Sequence, residues 1–263
     1  MMGIAEEGLI KSLRVDWLQV LIYATRDQMG QAAAAAVADE VIRLIAEQGR
    51  AVGIFASAPS QNEFLAALVE VPNIDWTRVI GFHLDEYLGM NDQAPQSFRR
   101  FLIDRLVSKV PMDKFFGLPG ESTDPERQSA LYAALLEKNP PGFAVLGIGE
   151  NGHLAFIDPP FCDFNDPLPV KTVELDDFCR AQQVHDGAFP SLEEVPHRAL
   201  SLTIPTLMRC PRLFAIVPGP AKQQAILKAI EGPIETACPA SILRRHGDAH
   251  LFLDRHSAAL LSH

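Results

Sequence analysis

The sequence predicts an α/β fold: a single domain over residues 1–263, built on a mostly parallel sheet with helices on both faces, Rossmann-like and doubly wound. Three observations carry this. Short apolar runs alternate with longer segments of helical spacing along nearly the whole chain. The alternation shows no internal repeat and no linker-like change of composition. An apolar content of 48% over 263 residues is ample for a core of that size.

Residues 18–25 alternate enough to form a strand, and the alanine-rich stretch 27–47, closed by Gly49, predicts a long helix with its C-terminal glycine. Residues 51–56 form a second strand. After Ser57-Ala58-Pro59-Ser60 the apolar residues Phe64, Leu65, Leu68 and Val69 fall at helical spacing, with Ser60 the expected N-cap and Glu63 its capping-box partner. A third strand, 79–84, runs into Asp85-Glu86-Tyr87. Helices over about 97–106 and 125–138 precede the central strand, Phe143-Ala144-Val145-Leu146. Strands recur at 199–203, 213–217 and 250–253, with a helix over 221–230 between the last two. The stretch 159–196 is the exception. Rich in Pro, Asp and Phe, weakly periodic and far longer than an ordinary connection, it predicts a loop-rich lid or binding loop.

Composition excludes several classes of function. No run approaches the roughly 18 apolar residues of a membrane span, and Glu6 and Glu7 stand ahead of any apolar stretch, which is unlike an export signal. A cytoplasmic protein with no membrane partner is expected. A formal charge of −10 without a basic stripe argues against nucleic acid, and an anionic ligand would then need its own local donors. Cys162, Cys179, Cys210 and Cys238 show neither CxxC spacing nor a histidine at zinc-ligand distance, so free thiols are expected rather than a metal site or a disulfide.

The most informative segment is Gly147-Ile148-Gly149-Glu150-Asn151-Gly152-His153-Leu154-Ala155-Phe156-Ile157-Asp158-Pro159-Pro160, placed where the central strand ends. Its first six residues match G-x-G-x-x-G. A dinucleotide site would need a helix directly afterwards, whereas here the Pro159-Pro160 pair stops one after a short apolar stretch. The remaining reading is a glycine-permitted turn presenting His153 at the strand mouth, with Asn151 and Asp158 beside it.

Two further strand ends converge on the same edge. Asp85 and Glu86 follow the third strand, and the Ser57-Ala58-Pro59-Ser60-Gln61 loop leads into a helix N-terminus that favours a phosphate. A carboxylate, a histidine and a hydroxyl-rich loop together meet the needs of proton-transfer chemistry. Gly219-Pro220-Ala221-Lys222 repeats the arrangement, with a lysine in a first helical turn, where the helix dipole disfavours it unless an anion is near.

These landmarks, in this order, resemble the glucosamine-6-phosphate deaminase (isomerase) family over nearly the whole chain. The carriers are Phe82-His83-Leu84-Asp85-Glu86-Tyr87-Leu88-Gly89 and Gly149-Glu150-Asn151-Gly152-His153-Leu154-Ala155-Phe156. The related 6-phosphogluconolactonases share the fold, but Tyr87 and Phe156-Ile157-Asp158 favour the deaminase branch. The resemblance implies conversion of glucosamine 6-phosphate and water into fructose 6-phosphate and ammonia, without a metal or organic cofactor. His153 would assist ring opening and Asp85 would carry a proton between C2 and C1. Asn151 and Asp158 would support the histidine. Substrate contacts are expected from Ser57, Ala58, Ser60 and Gln61, from Glu86 and Gly152, and from His185 and Lys222. Family members are often oligomers, so a homo-oligomer is open.

The chain departs from the family pattern at several points. Asn151 replaces an aspartate and Asp158 a glutamate. The phosphate loop lacks paired glycines. His185, with Arg180 close by, stands in for a phosphate-binding arginine. An amide cannot stabilise an imidazolium by charge, which leaves that role to Asp158 or Glu150. Two alternatives stay open: a hydrolase of a phosphosugar lactone, and a non-catalytic sugar-phosphate sensor that kept the pocket.

Overall fold

A computed structural model describes residues 7–262, so Glu6 lies outside the described residues. In chain order the elements are β1 (Leu9–Val15), β2 (Leu18–Tyr23), α1 (Arg26–Gln48), β3 (Ala51–Phe55), α2 (Asn62–Glu70), β4 (Val79–His83), β5 (Asp85–Tyr87), α3 (Phe98–Leu102), β6 (Lys114–Phe116), α4 (Pro125–Lys138), β7 (Phe143–Leu146), β8 (Val170–Glu174), α5 (Asp177–His185), β9 (Arg198–Leu202), α6 (Ile204–Met208), β10 (Arg212–Val217), α7 (Gln223–Glu231) and β11 (Ala249–Asp254).

Eight strands form the main sheet in the order β1-β2-β11-β10-β7-β3-β4-β6. Every neighbouring pair is parallel except β1 with β2. From β3 the chain steps outward through β4 to β6 and then returns to lay β7 on the other side of β3. Strand order therefore reverses between β3 and β7, and a crevice opens at such a point beyond the carboxyl ends of the strands.

Side-chain alternation divides the core between the two faces. In β7, Phe143 and Val145 join Phe55, Phe214 and Phe252 beneath α1 and α2, while Ala144 and Leu146 join Ile54, Phe82 and Leu251 on the face covered by α4 and α7. A strand buried on both faces reads as a continuous apolar run, which is why the central strand was legible. Ala32, Ala33, Ala34 and Ala36 of α1 are buried, and their small side chains let this helix lie close on the sheet. Thr25 leaves the first expected strand early in order to cap α1, accepting from Gln28 N at 3.2 Å. Gly49 ends the helix in the left-handed region, φ 78°.

The structure departs from the sequence expectations at several places. Ser60 and Glu63 make no capping box. Ser60 sits inside a 3₁₀ turn, Pro59–Gln61, that proline initiates ahead of α2, and Glu63 turns instead to Arg26 at 2.7 Å. The helix expected over 221–230 likewise starts with a 3₁₀ turn, Pro220–Lys222, so Lys222 precedes α7 rather than lying in its first turn. The strand expected at 199–203 does not join the parallel sheet. As β9 it pairs antiparallel with β5 and β8 in a separate three-stranded sheet. Finally, 159–196 is loop-rich as expected but not loop throughout: it also contains β8 and α5. Asp176 caps α5 by accepting from Cys179 N at 2.7 Å. Among the described residues no helix is long and apolar enough to cross a membrane.

Candidate functional site

A cavity of about 250 Å³ opens at the carboxyl ends of β3, β4, β7 and β10, over the point where strand order reverses. Each strand delivers one part of its wall. β3 runs into Ser57 and the Pro59–Gln61 turn, β4 into Asp85, β7 into Gly147, Gly149 and His153, and β10 into the Pro220–Lys222 turn. Leu84, Phe98, Ile148, Ala155 and Phe156 supply its apolar surface.

Asp85 is fixed by a change of sheet. The chain leaves β4 at His83, and Leu84 O then accepts from Leu202 N at 3.1 Å as β5 docks on β9. The carboxylate is thereby carried into the interior, 4% exposed, with Oδ1 enclosed and unpartnered among the described residues. Burial, reinforced by the neighbouring Glu86, pushes its pKa well above the ordinary aspartate value. His83, one residue before the crossover, is held neutral: burial, aided by Arg99, lowers it to about 3.

The turn after β7 sets His153. A Cβ on Gly149 would lie about 2.2 Å from the imidazole, so only glycine permits the ring's position. Gly152 adopts φ 88° in the same turn. Asn151 Oδ1 accepts from His153 N at 3.0 Å and its Nδ2 donates to Asp158 Oδ1 at 2.9 Å. That oxygen lies 3.1 Å from His153 Nδ1, in a close approach that is not linear enough for a good hydrogen bond. Burial alone would raise the Asp158 carboxyl; contacts from His153 and Asn151 outweigh this and hold it below its ordinary value. Cys179 completes the cluster, with one ligand atom from each of His153, Asp158 and Cys179 within 4.8 Å of the others. Burial and the nearby Asp158 push its thiol well above the usual range.

Another part of the cavity wall is polar. Gln61 Nε2 donates to Ile216 O at 3.2 Å and to Ser60 Oγ at 3.1 Å, while Ser57 Oγ and Gln61 Oε1 are enclosed without a partner among the described residues. Asp254 Oδ1 accepts from Gly219 N at 3.1 Å, which fixes the turn carrying Lys222. Lys222 is 7% exposed; burial lowers its pKa against the opposing influence of Asp186 and Glu150.

Of the residues expected from the sequence, Ser57, Ala58, Ser60, Gln61, Asp85, His153 and Lys222 line this cavity together. Asn151 and Asp158 stand behind His153, off the wall. Three expected substrate contacts lie elsewhere, each for a physical reason. Glu86 is fully buried and spends its oxygens on Tyr87 N, Ser97 Oγ, Phe98 N and Arg99 N, at 2.7 to 3.1 Å. Gly152 packs its α-carbon towards Cys238. His185 sits at the end of α5 with its side chain 70% exposed, 4.0 Å from Glu150. Sequence reasoning missed Gln182, Gln183 and Asp186, which α5 brings to the wall, and Arg26. The signal for α5 was present: Leu175-Asp176-Asp177 places a capping aspartate before a helix.

Comparison with known proteins places the chain in a family. The family model for glucosamine-6-phosphate isomerases/6-phosphogluconolactonase matches residues 24–252. A glucosamine-6-phosphate deaminase of Listeria monocytogenes is 35% identical over 204 residues, covering 77% of this chain and 84% of the relative. One of Streptococcus gordonii is 31% identical over 226 residues, covering 86% and 93%. The solved structure of a monomeric glucosamine-6-phosphate deaminase superposes with a TM-score of 0.84 at 28% identity, covering 92% of this chain and 99% of that one. A 6-phosphogluconolactonase from Trypanosoma brucei shares the fold, with a TM-score of 0.75 at 18% identity over 96% and 100% of the two chains. With the match spanning all the strands that build the cavity, the chain belongs to the glucosamine-6-phosphate isomerase/6-phosphogluconolactonase family and is an enzyme of that superfamily.

Proposed function

We propose that the chain converts glucosamine 6-phosphate and water into fructose 6-phosphate and ammonia. One observation carries the reading: Asp85 and His153, two groups able to move protons, line a single cavity together with Lys222 and the hydroxyl-rich Ser57–Gln61 turn. The relatives at 31–35% identity, both glucosamine-6-phosphate deaminases, support the same substrate.

His153 takes the proton of the anomeric hydroxyl and a proton returns to the ring oxygen, which opens the sugar. Asp85 then removes the C2 proton, made acidic by the adjacent carbonyl, while O1 takes a proton from the C2 ammonium to give the neutral enolamine, and Asp85 delivers its proton to C1. The enolamine becomes a C2 iminium, water adds there, and ammonia leaves to give the ketose. Burial suits Asp85 to this step, because a carboxylate deprived of solvent is a stronger base than one in water. Asp158 steadies the charge that His153 carries between the two transfers. Leu84, Phe98, Ile148 and Phe156 shield the enol intermediate from water.

The test is ammonia release from glucosamine 6-phosphate, coupled to detection of fructose 6-phosphate, for wild type beside His153→Gln and Asp85→Asn. Turnover in wild type that is lost in both variants is the expected result. Hydrolysis of 6-phosphogluconolactone without ammonia release from the amino sugar would replace this reading by the lactonase.

A further inference from the structure

The charge inventory of the cavity wall is unusual for a site that takes a phosphate dianion. Its ionisable residues are Arg26, Asp85, His153, Asp186 and Lys222. Arg26 is already paired with a carboxylate, Nε lying 2.7 Å from Glu63 Oε2 and Nη2 donating to Pro59 O at 2.6 Å, so that the ion pair adds no net charge to the wall. Asp85 and His153 are the reacting groups. The polar part of the wall is therefore left with one positive charge, Lys222, and one carboxylate, Asp186, held at the rim by Gln182 Nε2 at 3.2 Å.

Neutral donors occupy the rest. Gln183 is 5% exposed, and its Oε1 accepts from Tyr87 Oη at 2.6 Å. Tyr87 is deeply buried, and burial pushes its phenol far above the usual value, so it keeps the proton that it donates. With the oxygen of the amide fixed, its N–H groups are the part left to face the cavity. Ser57 Oγ adds an enclosed hydroxyl with no partner among the described residues. A doubly charged group desolvated here would meet one ammonium and a nearby carboxylate, leaving charge uncompensated. A singly charged group of the same shape would be matched.

We infer that Lys222, Asp186 and the Tyr87-held amide of Gln183 tune this site to a singly charged tetrahedral terminus, a sulfate ester or a phosphate monoanion, with Gln183 the residue that sets the preference. This rests on the proposed function for its placement of the sugar, but the test separates the two.

Dissociation constants for glucosamine 6-sulfate and glucosamine 6-phosphate are measured by calorimetry at pH 8, where the phosphate ester, with a second pKa of about 6, is a dianion and the sulfate a monoanion. Turnover of both is followed by ammonia release. Wild type is expected to bind the sulfate at least as tightly as the phosphate. Gln183→Arg is expected to shift the ratio towards phosphate by at least about tenfold. A wild type that prefers phosphate by more than about tenfold, or a folded Gln183→Arg protein whose ratio is unmoved, overturns the inference whatever the turnover. Matched binding of both esters without ammonia from either sustains it and overturns the deaminase reading instead. Binding of neither overturns both.

Discussion

Asp158, and not Asn151, is the charged neighbour of the His153 ring, with 3.1 Å between Nδ1 and Oδ1. Asn151 works at one remove: its amide nitrogen holds the Asp158 oxygen, and its carbonyl oxygen holds the backbone of the histidine turn. Glu150, the other carboxylate within reach by sequence, faces His185 at 4.0 Å. The charge lost where an amide stands before Gly152 is thus supplied from the far side of the turn.

Replacing Asp158 by Asn keeps the shape and removes that charge. Turnover is expected to fall by about 10²-fold or more, because the imidazolium loses its electrostatic partner. Stability should respond to pH as well. The folded carboxyl lies below its ordinary value of 3.8, so the folded state binds fewer protons than the unfolded one. Its contribution is full above that value and is lost as pH falls through the lower folded pKa. Urea midpoints at pH 6 and pH 3 should therefore differ less in Asp158→Asn than in wild type; an equal loss on acidification in both proteins would count against this account.

Asn151→Asp is the instructive opposite change. It sets a second carboxylate where Nδ2 now lies 2.9 Å from Asp158 Oδ1, and two carboxylates at that distance cannot both ionise freely. We expect the variant to be less stable than wild type at pH 7, by about 1–3 kcal/mol, and to recover in part at pH 5, where one of the pair can hold a proton. Thermal melts at the two pH values check this. A melting temperature at pH 7 equal to wild type would show that the pair separates at no cost.

The edge strands β1 and β6, open to solvent, were missed, but the six inner strands of the main sheet were legible because they are buried on both faces, and Phe143 to Leu146 could hardly be anything else. The small sheet was not. Asp85-Glu86-Tyr87 and residues 170–174 are short and mixed in character, and their strand identity comes from pairing with β9 rather than from their own pattern. The candidate site divides in the same way. Residues announced by a strand end and a turn, such as Ser57, Asp85 and His153, could be placed from order alone under the rule that parallel strands share their carboxyl edge. Gln183 could not, because its part depends on a hydrogen bond to Tyr87, and no local pattern encodes that contact. Glu86 misled for the same reason. Its polarity pointed to a ligand, while the backbone N–H groups that occupy it belong to the start of α3.

Asp85→Asn separates function from stability. In a carboxyl raised by burial and by Glu86, the folded state holds its proton more tightly than the unfolded one. Stability is then lost as pH rises from 3.8 through the folded pKa, and ionised Asp85 is a net cost above it. The amide removes that cost. Turnover should drop by about 10²–10⁴-fold, while stability at pH 8 rises on the order of 1 kcal/mol, or about 2–4 °C in Tm for a chain of this length. Ammonia assays and melts on one preparation read both. A variant that is inactive and also less stable would place Asp85 among the residues that hold the fold.

Glu86→Gln should do the reverse. Glu86 gathers Ser97 Oγ at 2.7 Å, Arg99 N at 2.8 Å, Tyr87 N at 2.9 Å and Phe98 N at 3.1 Å, so it acts as the carboxylate cap of α3 and ties that helix to β5. An amide retains one acceptor and turns two N–H groups towards donors. A stability loss of about 1–3 kcal/mol is expected. The helix it anchors carries Phe98, which lines the cavity and packs on Tyr87 and Phe156 with ring centroids 4.8 and 5.3 Å away. Loosening α3 should therefore raise KM several-fold while kcat at saturating substrate changes little. Denaturant melts together with a full kinetic profile decide the matter. A collapse of kcat with an unchanged melting point would move Glu86 from the scaffold to the reacting groups.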